Sequence, residues 1–304
     1  MQNKLTVSSS PHFHSNNSTA GIMLDVILAL APACIYGFVL FGWRAVLVVA
    51  TCIASAMLAE FVWNKIMHKP NSLGDLSAVV TGLLLGMNLP SSLPIPMAAL
   101  GSAIAIIVVK QMFGGIGQNF MNPALGARVV LLVSFPAAMT NFLEPFGKIV
   151  TSATPLAQGA NFSINELLMG VHPGCIGETP ALLLLIGGLY LIMRRVISPI
   201  IPVCFIGSVA LLSLILGANP LYMILSGGVM LGAIFMATDY STSPTFPLGK
   251  VIFGIGCGVI TTVIRLYGSL PEGVSYSIII MNLLVPHINT LTTPKPFGWE
   301  GKKQ

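Results

Sequence analysis

Ten apolar stretches follow one another along the chain, at about 22–41, 44–62, 77–89, 95–112, 124–138, 180–193, 197–216, 221–237, 250–266 and 274–291. A full bilayer crossing takes roughly 20 apolar residues. Three stretches, 77–89, 124–138 and 180–193, are short for that. In membrane proteins, short segments interrupted by Gly or Pro often flank a site near mid-membrane. The pattern predicts an all-α membrane protein of about ten transmembrane helices, arranged as two related five-helix bundles with short or broken members. Five parts are expected: a cytoplasmic tail (1–21), a first bundle (22–138), an extracytoplasmic loop (139–179), a second bundle (180–291) and a cytoplasmic C-terminal tail (292–304).

Composition strengthens the membrane reading. Of 304 residues, 55% are hydrophobic and only 8% charged, where soluble domains carry about a quarter charged. The polar stretch 1–21 lacks the short apolar core of a cleavable signal, so the first apolar run is expected to stay as a helix. Positive charge sets orientation. With the N-terminus cytoplasmic and all ten segments crossing, Lys4, Lys65, Lys69, Lys110, Arg128, Arg194, Arg195, Lys250, Lys295, Lys302 and Lys303 lie inside. Arg44, Lys148 and Arg265 lie outside, a split of 11 to 3. The net charge of +5 has no basic, aromatic-laced patch behind it, so nucleic acid is not an expected partner.

Two stretches resemble each other: "NPALGARVVL" (122–131) and "SPTFPLGKVIF" (243–253) each pass from Pro through Gly to a basic residue at the start of a span. The segment count puts both on the same side; an inverted repeat would need one short segment not to cross. Backbone groups freed at such entries must line a cavity or meet a partner.

The five cysteines, at 34, 52, 175, 204 and 257, contain no C-x-x-C and no pair at metal spacing. A cluster held by this chain alone is not expected, although the spacing leaves room for one shared with a partner. Cys175 stands in a polar loop with His172 and Glu178, a mixture that usually contacts water or a neighbour. His12 and His14 read as tail residues. The Gly-rich "GGIGQN" and "GIGCG" follow no predicted strand, which argues against a dinucleotide fold.

Ionisable residues within spans cost about 2.5–3.5 kcal/mol each at mid-helix, so they are functional suspects. Asp25, Glu60, Asp75 and Asp239 all fall near interfaces, where a topological or subunit-contact role is the simpler reading. Asp239, in "ATDYSTSP", is the best acidic candidate for an ion or cofactor pocket. Asn119, Asn122 and Arg128 in "GQNFMNPALGAR" can hold the polar edge of a ligand or close a re-entrant turn, the turn being simpler.

Taken together, "SPHFHSNNSTAGIMLDVILALAPA" (10–33), "GDLSAVVTGLLLGMNLP" (74–90), "VVKQMFGGIGQNFMNPALGARVVLLVSFPAAMT" (108–140), "TSATPLA" (151–157) and "ATDYSTSP" (237–244) resemble the D subunits of Rnf ion-translocating ferredoxin:NAD oxidoreductases. These are related to the B subunits of sodium-pumping NADH:quinone oxidoreductases. The resemblance covers nearly the whole chain. It implies FMN joined through its phosphate to a threonine in a motif commonly written S-G-A-T. On this chain the acceptor falls on Thr154, preceded by Thr151, Ser152 and Ala153. Ser152 stands where the family often has Gly, and the acidic residue common just upstream is absent.

The tract suits that chemistry. A flavin phosphate ester needs a hydroxyl on a backbone of small residues that a flavin transferase can reach. Pro155 biases Thr154 toward extended geometry. The resemblance further implies an electron-transfer subunit in the bacterial cytoplasmic membrane, coupled to Na+ or H+ translocation, with a second flavinylated subunit as partner. NADH and ferredoxin are expected to bind other subunits, and a noncovalent riboflavin is suggested within the helices. The rival reading is a solute channel or secondary transporter of similar architecture, which has no need of a flavin-acceptor threonine. A membrane hydrolase is set aside, since no nucleophile and base are paired.

Overall fold

A computed structural model describes residues 18–147, 155–156, 162–268 and 273–294. Thr151, Ser152, Ala153 and Thr154, with Lys148, His12 and His14, lie outside the described residues. Among the described residues the regular structure is helical: an all-α membrane protein, as the apolar pattern predicts. The helices are α1 Thr19–Phe41, α2 Trp43–Ile66, α3 Ser77–Met87, α4 Ile95–Ile104, α5 Pro123–Ser134, α6 Pro136–Met139, α7 Ile164–Met169, α8 Ala181–Met193, α9 Ile200–Ile215, α10 Pro220–Leu225, α11 Val229–Leu231, α12 Pro247–Tyr267 and α13 Gly273–Thr292. Of these, α1, α2, α12 and α13 are long and apolar enough to span a bilayer, while α3, α4 with its extension, α5, α8 and α9 are shorter apolar helices.

Local sequence sets the ends. Ser18 caps α1 through its hydroxyl. Asn122 caps α5 by accepting from the Ala124 and Leu125 amides, with Pro123 at the first helical position. Asn219 and Pro220 do the same for α10. In the outer loop, Ser163 and Glu166 form a reciprocal capping box at α7, and the two bonds to Ser163 hold the Glu166 carboxyl below its ordinary pKa. The eighth apolar stretch, 221–237, is not one helix. It breaks at Ser226–Gly228 into α10 and α11, because Gly227 and Gly228 take φ of +60° and +72°.

Close approaches fix the directions of the helices. Gly82 of α3 lies on Cys52 and Ile53 and Gly86 on Val49, so α3 runs against α2. The Ser55 hydroxyl donates to the Ala99 carbonyl while Lys110 reaches Glu60, so α4 runs with α2. Gly101 meets Leu131 and Gly126 meets Val109, turning α5 against α4. Gly187 lies on Ala29 and Arg194 pairs with Asp25, so α8 runs against α1. In the second half, α12 runs with α9 (Gly254 on Cys204, Gly258 on Ser208) and against α13 (Gly249 on Ile288, Gly273 on Thr261). Gly232 on Val274 carries α11 alongside α13. Among the described residues, successive segments therefore alternate in direction, the short ones included. The two look-alike motifs open α5 and α12 at the same end, as the segment count requires, so no inversion relates them.

Two helices widen into π-helix: α4 continues through Ala105–Gln111, and α11 through Gly232–Met236. Such widenings are frequent at functional sites. Depth in the bundle also demands satisfied backbone. The loop after α7 supplies part of this, since the Gly177 and Ile176 amides donate to the Met87 and Leu89 carbonyls at 2.7 and 3.2 Å, closing the end of α3.

Candidate functional site

Three polar constellations are buried among these helices, and the sequence candidates divide among them. At the end where α1 begins, Asn119, Asn122 and Asp239 line one cleft together with Ser77, Thr81 and Lys110. Both π-helices reach it, one through Lys110 and the other through Phe235. Its enclosed part is small, about 110 Å³, less than the roughly 300–1,000 Å³ of small-molecule sites, so a ligand there would extend out through the mouth. Its floor is tied across the two halves: the Asn122 amide donates to the Met236 carbonyl at 3.2 Å. Asn282, its amide oriented to suit its neighbours, donates to the Thr242 carbonyl at 3.0 Å and accepts from the Asn122 backbone at 3.2 Å. Asp239 accepts from the Ser241 and Thr242 hydroxyls at 2.9 and 3.0 Å. Burial pushes its carboxyl above the usual range, against the pull of those hydroxyls. The Asn119 side-chain oxygen, Oδ1, is buried without a hydrogen-bond partner, a group that a ligand or water would satisfy.

The charge count places Lys110 among the cytoplasmic residues, yet it is buried. Its Nζ donates to Glu60 Oε2 at 2.7 Å and to Ser77 Oγ at 2.6 Å, and Ser72 donates to the other Glu60 oxygen at 2.5 Å. Glu60 is therefore an internal ion-pair partner rather than an interfacial charge. Asp75 accepts from the Ser77 amide and hydroxyl, tying the start of α3 to the same network. Asp25 keeps an interfacial role, pairing with Arg194 at 3.2 Å and accepting from Tyr190 at 2.8 Å.

Arg128 does not join Asn119, Asn122 and Asp239. One and a half turns beyond the α5 cap, it points toward the far end of the bundle, deep in the core. Nη1 donates to Asn88 Oδ1 and to Ser275 Oγ, both at 3.0 Å, and Nη2 to Glu178 Oε1 at 3.0 Å and Cys175 Sγ at 3.3 Å. Both charges of the Arg128–Glu178 pair are about 3% exposed. The expectation that His172, Cys175 and Glu178 meet water or a neighbour is thereby corrected: all three are buried, because their loop packs down onto the end of α3. Burial also lowers the His172 pKa, opposed by the Pro173 carbonyl and Glu178. Removing Lys110 and Arg128 from the charge count leaves nine basic residues against three, so the bias survives. Asn88 bridges the constellations, its amide donating to Leu84 O at 2.8 Å and to Met236 Sδ at 3.3 Å.

Sequence reading missed Glu178, Asn88 and Ser275 as partners of Arg128. One signal was available: a guanidinium inside a predicted span demands a buried acceptor. Which acceptor answers it is a matter of packing.

At the far end, described residues flank the threonine tract. Pro155 is buried and Leu156 half-buried, and the Tyr222 hydroxyl donates to the Pro155 carbonyl at 2.8 Å.

Residues 6–298 match the NQR2, RnfD, RnfE family. The chain belongs to this family. Within the NQR2/RnfD/RnfE family, it is 49% identical over 303 residues to the D subunit of the Na+-translocating ferredoxin:NAD+ oxidoreductase complex of Acetobacterium woodii, covering 97% of this chain and 95% of that one. It is 42% identical to the D subunit of the proton-translocating ferredoxin:NAD+ oxidoreductase complex of Clostridium ljungdahlii, over 98% and 97% of the two chains. To the D subunit of the ion-translocating oxidoreductase complex of Yersinia enterocolitica it is 36% identical, over 97% and 98%. The family that the motifs pointed to is thus the one found.

Proposed function

We propose that this chain is the D-type membrane electron-transfer subunit of an ion-translocating ferredoxin:NAD oxidoreductase complex, with FMN esterified through its phosphate to Thr154. Near end-to-end likeness to the D subunits of two such complexes supports the complex. The observation that carries the flavin site is the anchoring of Pro155, the residue bonded to Thr154, by the Tyr222 hydroxyl. Pro155, the next residue in the chain, is buried and hydrogen-bonded at the end of the bundle, and small residues precede it in the sequence. FMN bound there would supply one- and two-electron transfer. The protein's own part is to hold the attachment point and leave the ring free to reach its pocket.

The residual charge bias supports an orientation with the α1-starting end in the cytoplasm and the flavin acceptor extracytoplasmic. A second, noncovalent flavin such as riboflavin is assigned to the cleft. Asn119 and Asn122 would supply polar contacts to it there, with Val80, Leu84 and Phe235 as apolar lining. The unsatisfied Asn119 Oδ1 supports this reading over a simple turn. Partners under this proposal are the other subunits of the complex, a second flavinylated subunit among them, together with a flavin transferase.

The test is in-gel fluorescence of the denatured subunit after co-expression with its transferase. Parent protein is expected to fluoresce and Thr154→Ala to be dark. A dark parent, with the transferase shown active on another substrate, would overturn the assignment and bring forward the transporter reading.

A further inference from the structure

The end of α10 forms a corner braced from behind and loaded in front. Behind it, Arg265 in the last turn of α12 donates from Nη1 to the Met223 carbonyl at 2.6 Å and from Nη2 to the Ser226 and Gly227 carbonyls. One guanidinium thus serves three carbonyls that a helix ending at Leu225 would otherwise leave poorly satisfied. In front, Tyr222 reaches the Pro155 carbonyl. Leu156 sits so close on Gly227 that a Cβ there would collide with the leucine Cδ1. The next residue, Gly228, abuts the Glu178 carboxyl on its other side, so the corner is wedged against the Arg128–Glu178 pair as well.

This is a seat for two specific residues, and those two directly follow the flavin acceptor. Proline fixes its own φ. With its carbonyl also held, the chain can pivot little at the first residue after Thr154. The geometry points to Tyr222 and Gly227, with Arg265 behind them, as positioning residues that set where the Thr154-linked flavin is held and so how fast it exchanges electrons. The inference rests on Thr154 being the acceptor. Electron exchange between cofactors falls steeply with their separation, so a flavin whose attachment point shifts exchanges electrons more slowly.

The experiment compares whole complexes carrying Tyr222→Phe or Leu156→Ala with the parent. Tyr267→Phe serves as control, removing an exposed tyrosine hydroxyl at the same end of the bundle. Three quantities are read: covalent flavin per subunit after denaturation, decay of flavin fluorescence anisotropy, and ferredoxin-dependent NAD+ reduction per covalent flavin. Both test variants are expected to keep parental flavin content, to depolarise faster, and to turn over severalfold more slowly per flavin; the control should match the parent. Parental anisotropy and turnover in both variants would overturn the inference. So would lost flavin content with unchanged turnover per flavin, which would make the corner a recognition element for the transferase. Should Tyr222→Phe fail to assemble, Leu156→Ala alone decides, since it trims only the loop. Absence of covalent flavin in the parent, or its persistence in Thr154→Ala, would instead remove the acceptor assignment beneath.

Discussion

Arg128 and Glu178 are a buried ion pair 50 positions apart in sequence. Taking either charge from its partner leaves the other stranded in the core. Arg128→Met is therefore expected to destabilise the protein by about 3–5 kcal/mol. Replacing both charges by Met should restore most of that, because a buried pair and an apolar pair of similar volume are often nearly equivalent. A thiol-reactive dye can follow this during heating, since Cys34, Cys52 and Cys257 are buried in the folded chain. A double variant as unstable as the single one would show that the guanidinium matters through Asn88 and Ser275 rather than through charge balance. At this scale the sequence was legible only in part. Arg128, Asn119, Asn122 and Asp239 each stood out by chemistry, but only three of them share a cleft. The direction in which Arg128 leaves α5 depends on helix rotation, which residue type does not encode.

At the scale of elements, close helix contact depends on glycines facing backbone. A Cβ on Gly82 would lie 2.8 Å from the Cys52 carbonyl oxygen and the Ile53 Cα, so α2 and α3 would have to move apart. Gly82→Ala should cost about 1–3 kcal/mol in the same dye assay. Gly207, inside α9, meets nothing within 4 Å, and Gly207→Ala should be neutral or stabilising by about 0.5–1 kcal/mol. Equal effects at the two sites would show that the α2–α3 seam has room to spare. Apolar periodicity located the elements well, since each stretch has a helix within a few residues. It joined α10 and α11 into one segment, because Ser226, Gly227 and Gly228 carry too little polarity to end an apolar run, and the break is made by the positive φ of the two glycines.

For the molecule as a whole, ten alternating passes put Thr140 and Thr245, both exposed, at opposite ends. Thr140→Cys should react with an impermeant maleimide added to intact spheroplasts. Thr245→Cys should react only after permeabilisation. Labelling of both from outside would refute the alternating arrangement, and the reverse pattern would invert the proposed orientation. The sequence by itself determined the membrane class, the placement of the apolar helices along the chain and the family to which the chain belongs. These follow from sums over local composition and from contiguous motifs, both of which survive without knowledge of packing. Only the tertiary structure decided that Lys110 answers Glu60, that Arg128 answers Glu178, that Asn119, Asn122 and Asp239 share a cleft, and that Tyr222 holds Pro155. Each of those pairings joins distant helices or loops, and a buried polar group takes whichever partner the packing of apolar faces brings within reach.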